Sequence, residues 1–359
     1  MDELKTLVWN GKIPVVFELA VEEFSDIELK DFIPLYQMIP RISYLALFVE
    51  QIAQHYQNEL EYHPSFGSAS SETISSPTLS PHRNSLFTNN TNLEKIRQFV
   101  ENHIWFSHKD QPLKWHYSFG LLYDIFNHDD CLPWRITIHF DNYPSEILLS
   151  PPVNRQSMEI IFMSLVKEAD WLKHRGSVME KLLPRDHKQL WSSLCQNKYD
   201  KFWAINKKLM TAEKFLPKKK SASLDSLPDS DSSEVTKQEE AEDILGFRHI
   251  PFKVYWLESA PNESQVNVIQ KLVKPFNLDG NNPEKLIPND VRSLILSSCP
   301  PSVEGEIDKL LQEYVFLIHG IECKLEAHLQ WASETFSYPD NFLHFVARPR
   351  TKNNSESAH

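Results

Sequence analysis

The sequence predicts an α+β chain in which two small β-grasp units flank a helix-rich block. Three observations carry that reading. Two polar stretches, 64–92 and 221–243, divide the 359 residues into parts that can pack and parts that cannot. The blocks at either end share one grammar, in which two strands precede a helix and further strands follow. The block between them has helical spacing and almost no strand signal. Such an order within a small unit fits a β-grasp, although pattern alone permits other small α+β folds.

Residues 1–10 read as an N-terminal helical segment, and the first unit takes residues 11–150. Ile13 to Leu19 and Leu35 to Ile39 are apolar runs rich in β-branched and aromatic residues, and each predicts a strand. From Tyr44 to about Leu60, Leu45, Phe48, Val49, Ile52, Ala53 and Tyr56 recur at helical spacing. The Ser-, Thr-, Asn- and Pro-rich stretch 64–92 buries too little to order itself and reads as a disordered insertion. Beyond it, Ile104 to Phe106 and Leu113 to His116 predict short strands and Gly120 to Phe126 a short helix. Trp134 to Phe140 alternates as a half-buried strand.

The helix-rich block spans 155–218. Met158, Ile161, Phe162, Leu165, Ala169 and Leu172 form one apolar stripe, and Leu190, Trp191, Leu194, Phe202, Trp203, Ile205 and Leu209 continue the theme. Residues 219–245 form an acidic linker: within 221–243, eight acidic residues face one lysine, which accounts for −7 of the total −12. The last unit, 246–350, offers a hairpin from Phe252–Trp256 and Val268–Val273 and a helix after Pro288. A strand at Tyr314–Ile318, a helix at Leu329–Phe336 and a strand at Phe342–Ala347 complete it. Residues 351–359 read as a flexible tail.

Composition excludes several classes. Only 8 glycines are present, with no G-x-x-x-x-G-K or G-x-G-x-x-G run, so nucleotide-binding loops are absent from the expectation. A net charge of −12 disfavours nucleic acid as a partner. Cys131, Cys195, Cys299 and Cys323 are scattered, and no apolar run reaches the roughly 20 residues of a membrane span. Together with a start that has no apolar leader, these point to a reducing, cytoplasmic setting. Neither a cofactor nor a metal is expected, since the 15 histidines show no ligand spacing. No G-x-S-x-G elbow marks a serine nucleophile. The basic run Lys218–Lys220 fits a solvated helix end as well as an anionic membrane contact.

Two kinds of reactive side chain remain. Isolated cysteines are usually small core residues, and His187 is eight positions from Cys195, too far along one helix for a thiol–imidazole pair. Lys167 is more informative. At 100° per residue it points away from the apolar stripe, on a side shared with Ile160, Met163, Trp171 and His174. That is either a docking patch around a reactive amine or a helix buried on two sides with the lysine snorkelling out. A free lysine amine titrates near 10.4, so only on the order of one in a thousand is neutral at pH 7. An acceptor lysine therefore draws its activation from the conjugating enzyme's site or from desolvation as the two proteins dock.

Eight runs carry a family resemblance. They are Pro40–Leu45, Pro112–Tyr117, Pro133–Phe140, Met163–Asp170, Asp186–Trp191, Phe202–Asn206, Ile318–Glu322 and Ser337–His344. On these the chain resembles the autophagy-related protein 5 family over essentially all its ordered length. The resemblance implies two ubiquitin-like (β-grasp) domains around a helix-rich domain, with no active site of their own. It implies that Lys167, in the run Lys167-Glu168-Ala169-Asp170, forms an isopeptide bond with the C-terminal glycine of ubiquitin-like autophagy-related protein 12. Autophagy-related proteins 7 and 10 would activate and conjugate that protein. Assembled on coiled-coil autophagy-related protein 16, the conjugate would act as a ligase-like complex. It would promote transfer of autophagy-related protein 8 from autophagy-related protein 3 to phosphatidylethanolamine, peripherally at the preautophagosomal membrane. The two polar insertions are longer than the family pattern needs but interrupt none of the eight runs. Arg41 and His319 are candidates for lining a groove that receives the coiled coil, with an interdomain salt link and a satisfied interface histidine as the plainer readings. Glu159 is a candidate for positioning the conjugated protein. The rival classes are a cysteine-dependent enzyme of a ubiquitin-like pathway and an unmodified structural adaptor.

Overall fold

The computed structural model describes residues 2–23, 32–62, 104–127, 131–211, 213–215, 244–257, 266–279, 286–300 and 307–350. The insertion 64–92, most of the acidic linker and the tail 351–359 lie outside the described residues. After helix α1 (Asp2–Asn10) the first unit forms β1 (Lys12–Leu19), β2 (Leu35–Pro40), β3 (Trp105–His108), β4 (Gln111–Pro112) and β5 (Trp134–His139). Their order in the sheet is β2-β1-β5-β3-β4. The two central strands run parallel, from Val15 opposite Trp134 to Leu19 opposite Ile138, and the other pairs are antiparallel. Period-two placement puts Ile13, Val15, Phe17, Trp134, Ile136 and Ile138 into the core. Helix α2 (Val49–Tyr62) crosses them with Val49, Ile52, Ala53 and Tyr56, and the Tyr56 hydroxyl donates to the Phe17 carbonyl at 2.7 Å. Helix α3 (Phe119–Phe126) closes the unit.

One predicted strand is corrected. Leu113 to His116 does not extend β4; it turns, with Tyr117 N–H donating to Lys114 O. Leu113 and Trp115 are buried because this loop crosses the core, which produces a strand-like alternation without a ladder.

The middle block consists of α4 (Arg155–His174), α5 (Pro184–Cys195) and α6 (Tyr199–Leu209). Met158, Phe162 and Val166 of α4 pack on Leu190, Trp191, Leu194 and Phe202 in one core shared with the first sheet. The stripe predicted for α4 missed Val166, which is fully buried. A short pair, β6 (Glu213–Phe215) with β7 (Ile244–Gly246), joins the block's end to the last unit. Strands therefore occur within a predicted helical stretch and at the edge of the predicted linker.

The last unit contains β8 (Phe252–Leu257), β9 (Val266–Ile269), β10 (Phe276–Leu278), β11 (Leu286–Pro288), α7 (Val291–Ser297), α8 (Ile307–Glu313), β12 (Tyr314–Ile318), β13 (Ile321–Glu322), α9 (Leu329–Phe336) and β14 (Leu343–Pro349). Its main sheet, β13-β12-β14-β8-β9, repeats the first strand for strand, again with a parallel central pair. The repetition reaches single bonds: Leu113 N–H to Phe106 O in one unit matches Cys323 N–H to Phe316 O in the other, both at 2.8 Å.

Candidate functional site

Helix α4 presents the residue singled out from the sequence. Asn154 starts the helix, its side chain accepting from Ser157 N–H at 2.9 Å, and Arg175 ends it in the left-handed region at φ 58°. Between these caps the buried face takes Met158, Phe162, Val166 and Ala169. The solvent face takes Ile160, Ser164, Lys167 and Trp171, in steps of four, three and four residues. Ile160 and Trp171 are each 63% exposed, an unusual state for such large apolar side chains. The Trp171 ring lies against Gly176, where an added Cβ would come within 3.4 Å of it.

The last turn of α4 is held by the other domain. Arg248 and His249 N–H groups donate to the carbonyls of Lys173 and Leu172, both at 3.1 Å, satisfying groups that a helix end leaves open. The Gln270 amide donates to Glu168, next to Lys167, at 2.9 Å. The helix is thus packed on the first core and capped by the second unit.

Two residues assigned to the Lys167 side, and the positioning candidate Glu159, fall differently. Met163 is half-buried and packs on the first core. Glu159 is half-buried and within electrostatic reach of Cys195. His174 is corrected outright: it is buried, its Nε2 lies 3.2 Å from Leu209 O, and its ring meets Phe247 edge-on. The second unit covers the end of α4, so a helical wheel that places His174 with Lys167 does not place it in solvent. Lys173 is buried beside it, with Nζ 3.1 Å from Met210 Sδ, 3.4 Å from Asn341 Oδ1 and 4.7 Å from the Phe247 ring centre. Burial lowers that amine to about 7.

Arg41 and His319 meet at the junction of the ubiquitin-like units. The Arg41 guanidinium pairs with buried Asp124 and donates to Gly120 O at 3.3 Å. It passes so close to Gly320 that a Cβ there would stand 2.7 Å from Nη2. Burial raises the Asp124 carboxyl, although Arg41 opposes the shift. His319 stacks on Tyr338 at 3.8 Å, and its Nε2 lies 2.9 Å from Phe336 O. Burial brings it down to about 3, so it is neutral at physiological pH. A small cleft of about 40 Å3 opens nearby, lined by Trp9, Tyr199, Trp203, His319 and Tyr338 among others. His319 lines it and Arg41 does not. The space suits a side-chain tip. Trp9, Tyr199 and Trp203 were missed from sequence; the aromatic pair four residues apart on one helix was the available signal.

Ser107, His139 and Glu23 form a relay with the spacing of a catalytic triad. Ser107 Oγ lies 2.8 Å from His139 Nε2, and His139 Nδ1 lies 2.8 Å from Glu23. Ser107 has no exposed surface, and Glu23 also accepts the N–H groups of Phe140 and Asp141. The relay fastens the turn after β1 to β5, with no access for a substrate. Burial pushes the Cys195 and Cys323 thiols up to about 11, which leaves little thiolate at neutral pH. Among the described residues no cluster of His, Cys, Asp or Glu could hold a metal ion, and no helix is long and apolar enough to cross a membrane.

Three family models match the chain in order. They are the UblA domain of autophagy protein ATG5 over residues 8–74 and 77–140, its alpha-helical bundle region over 155–212, and its UblB domain over 249–347. The chain belongs to the autophagy protein 5 family. Among its relatives, autophagy protein 5 of Drosophila melanogaster is 28% identical over 343 residues, covering 95% of each chain. Autophagy-related protein 5 of Caenorhabditis elegans is 26% identical over 344 residues, covering 94% of this chain and 95% of that one. The crystal structure of Kluyveromyces marxianus Atg5 superposes with a TM-score of 0.60 at 17% identity, over 96% of this chain and 99% of that chain. The α+β architecture with two ubiquitin-like domains around a helical region is therefore the family's own, and the family places the chain in autophagy.

Proposed function

We propose that this chain is a non-catalytic acceptor scaffold, joined through Lys167 to the C-terminal glycine of ubiquitin-like autophagy-related protein 12. The observation that carries the reading is the position of Lys167 on the solvent face of α4 between exposed Ile160 and Trp171. An amine that attacks a thioester needs an approach free of its own fold and an apolar surface on which the donor can seat and shed water. The caps of α4 hold that surface still. Autophagy-related proteins 7 and 10 would deliver the donor, and Glu159 and Met163 would help seat it. Across the cleft that His319 lines would lie an amphipathic helix of autophagy-related protein 16. The assembled conjugate would act as a ligase-like complex that favours transfer of autophagy-related protein 8 from autophagy-related protein 3 to phosphatidylethanolamine. Its place would be cytoplasmic and peripheral at the forming membrane.

Incubation with the activating enzyme, the conjugating enzyme, autophagy-related protein 12 and ATP tests this. The expected product is one slower-migrating species, stable to thiol reductant, absent with Lys167→Arg and retained with each cysteine-to-serine variant. A species that survives Lys167→Arg and disappears with one cysteine would transfer the role to a thiol. The raised Cys195 and Cys323 thiols weigh against that outcome.

A further inference from the structure

The last turn of α4 holds a second amine, which the acceptor surface does not use. Lys173 is 2% exposed and sits at the seam where the helical domain meets the second ubiquitin-like unit. Three groups surround its Nζ: Met210 Sδ at 3.1 Å, Asn341 Oδ1 at 3.4 Å and the Phe247 ring centre at 4.7 Å. No carboxylate among the described residues forms an ion pair with it. A neutral amine has two N–H donors, and Met210 and Asn341 supply two acceptors. An ammonium brings a third N–H, which meets the ring face in place of the water it has shed.

The charged and titratable groups that face this amine are engaged elsewhere. On α4, Asp170 accepts from Met179 N–H at 2.9 Å, and His174 Nε2 lies 3.2 Å from Leu209 O. On α9, Glu334 accepts from the Gln330 amide at 2.6 Å. On the turn before β14, Asp340 accepts from Phe342 N–H at 3.0 Å and pairs with His344 of β14 at 2.9 Å. Ahead of β8, Arg248 and His249 offer the helix end their backbone N–H groups. Asp170, Asp340 and Glu334 therefore act on the amine only from a distance. The seam itself is narrow. Asn341, in the left-handed region at φ 70°, accepts from Lys173 and donates to Asn206 of α6 at 2.9 Å, so one side chain of the second unit ties two helices together. The buried apolar side chains form two separate cores, one for each ubiquitin-like unit, and the seam can part locally without breaking either.

We propose that this seam is a proton-responsive clamp, closed on the neutral Lys173 amine and released when that amine takes up a proton and is hydrated. Burial holds the clamped amine at about 7, against 10.5 once it is released to water. Between those values, opening draws one proton from solvent onto Nζ, so a fall in pH favours the open seam by up to about tenfold per unit. Below about 7 both forms carry the proton and the dependence fades. Lys167 lies six residues up the same helix, about 9 Å along its axis, so the clamp sets how firmly the proposed acceptor face is held. The clamp does not depend on Lys167 being the acceptor.

Hydrogen exchange of the full chain, followed by mass spectrometry at pH 6, 7, 8 and 9 with labelling times scaled to the intrinsic rates, reads the clamp directly. In segments 168–175 and 339–343, protection is expected to rise about twofold from pH 6 to 7, about fivefold from 7 to 8 and about ninefold from 8 to 9. Segment 13–19 in the first sheet keeps constant protection over the same range. Lys173→Met removes the dependence at the seam, and Lys181→Met, at an exposed lysine, retains it. A wild-type seam whose protection does not change with pH overturns the inference, whether or not the variant folds. So does a dependence that persists in Lys173→Met.

Discussion

Replacing Lys173 by methionine removes a charge that the fold holds among apolar groups. The amine touches Met210 Sδ, Asn341 Oδ1 and the Phe247 ring, and burial takes it from its ordinary 10.5 to about 7. Below pH 7 the amine is protonated in both folded and unfolded chains, so the cost of burying the charge is full and constant. Between pH 7 and 10.5 the unfolded chain binds the proton that the folded chain has released, so stability rises with pH by about 1.4 kcal/mol per unit. Integrated from high pH down to pH 7, the cost reaches about 4 kcal/mol. Methionine fills nearly the same volume but leaves Asn341 Oδ1 without its donor, at about 2 kcal/mol. Lys173→Met is therefore more stable than wild type by about 2 kcal/mol at pH 7, equal to it near about pH 9, and less stable above. Urea unfolding followed by tryptophan fluorescence at pH 7, 8, 9 and 10 measures the difference. A gap between variant and wild type that stays constant over this range, or a variant weaker at pH 7, refutes the reasoning.

Other substitutions probe the remaining features. Lys167→Arg abolishes the slower-migrating conjugate while changing unfolding free energy by less than about 0.5 kcal/mol, since the side chain is exposed; a parallel melting curve checks the second half. Trp171→Asp leaves the fold intact and slows conjugation at least about tenfold, read from initial rates, if the apolar surface seats the donor. Asp124→Ala strands the Arg41 guanidinium at the domain junction and costs about 3–5 kcal/mol in denaturant unfolding. Ser107→Ala leaves His139 Nε2 without its partner and costs about 1–3 kcal/mol, with no change in the conjugation rate.

Much of the architecture is legible because it is written in local periods. The alternation of Ile13, Val15 and Phe17 and the helical spacing of Val49, Ile52 and Tyr56 each describe one face of one element, and the structure buries those faces. Lys167, Ile160 and Trp171 were legible for the same reason. What stayed hidden depends on contacts between distant parts of the chain. His174 and Lys173 are buried by residues from the second ubiquitin-like unit, which no wheel drawn on α4 contains. Ser107, His139 and Glu23 come together from three separated segments, and their relay exists only once β1, β3 and β5 share a sheet. The β10–β11 hairpin escaped because each strand has only three residues, too few for an alternation to register.

The seating of helix α1 has a consequence for the order in which the chain is assembled. Trp9 packs on Tyr199 and Phe202, Lys5 reaches over the Trp203 ring, and the helix rests on α9. Residues 2–10 therefore find some of their final neighbours some three hundred positions further along the chain. The first sheet can close once β5 has emerged, because its central pair joins β1 to β5, but α1 must wait through some two hundred further residues for Leu329 to Phe336. Its docking is completed only after α9 has been made. The aromatic cleft exists only after that step, so a partner that reads the cleft reads a chain in which α1 has met α9.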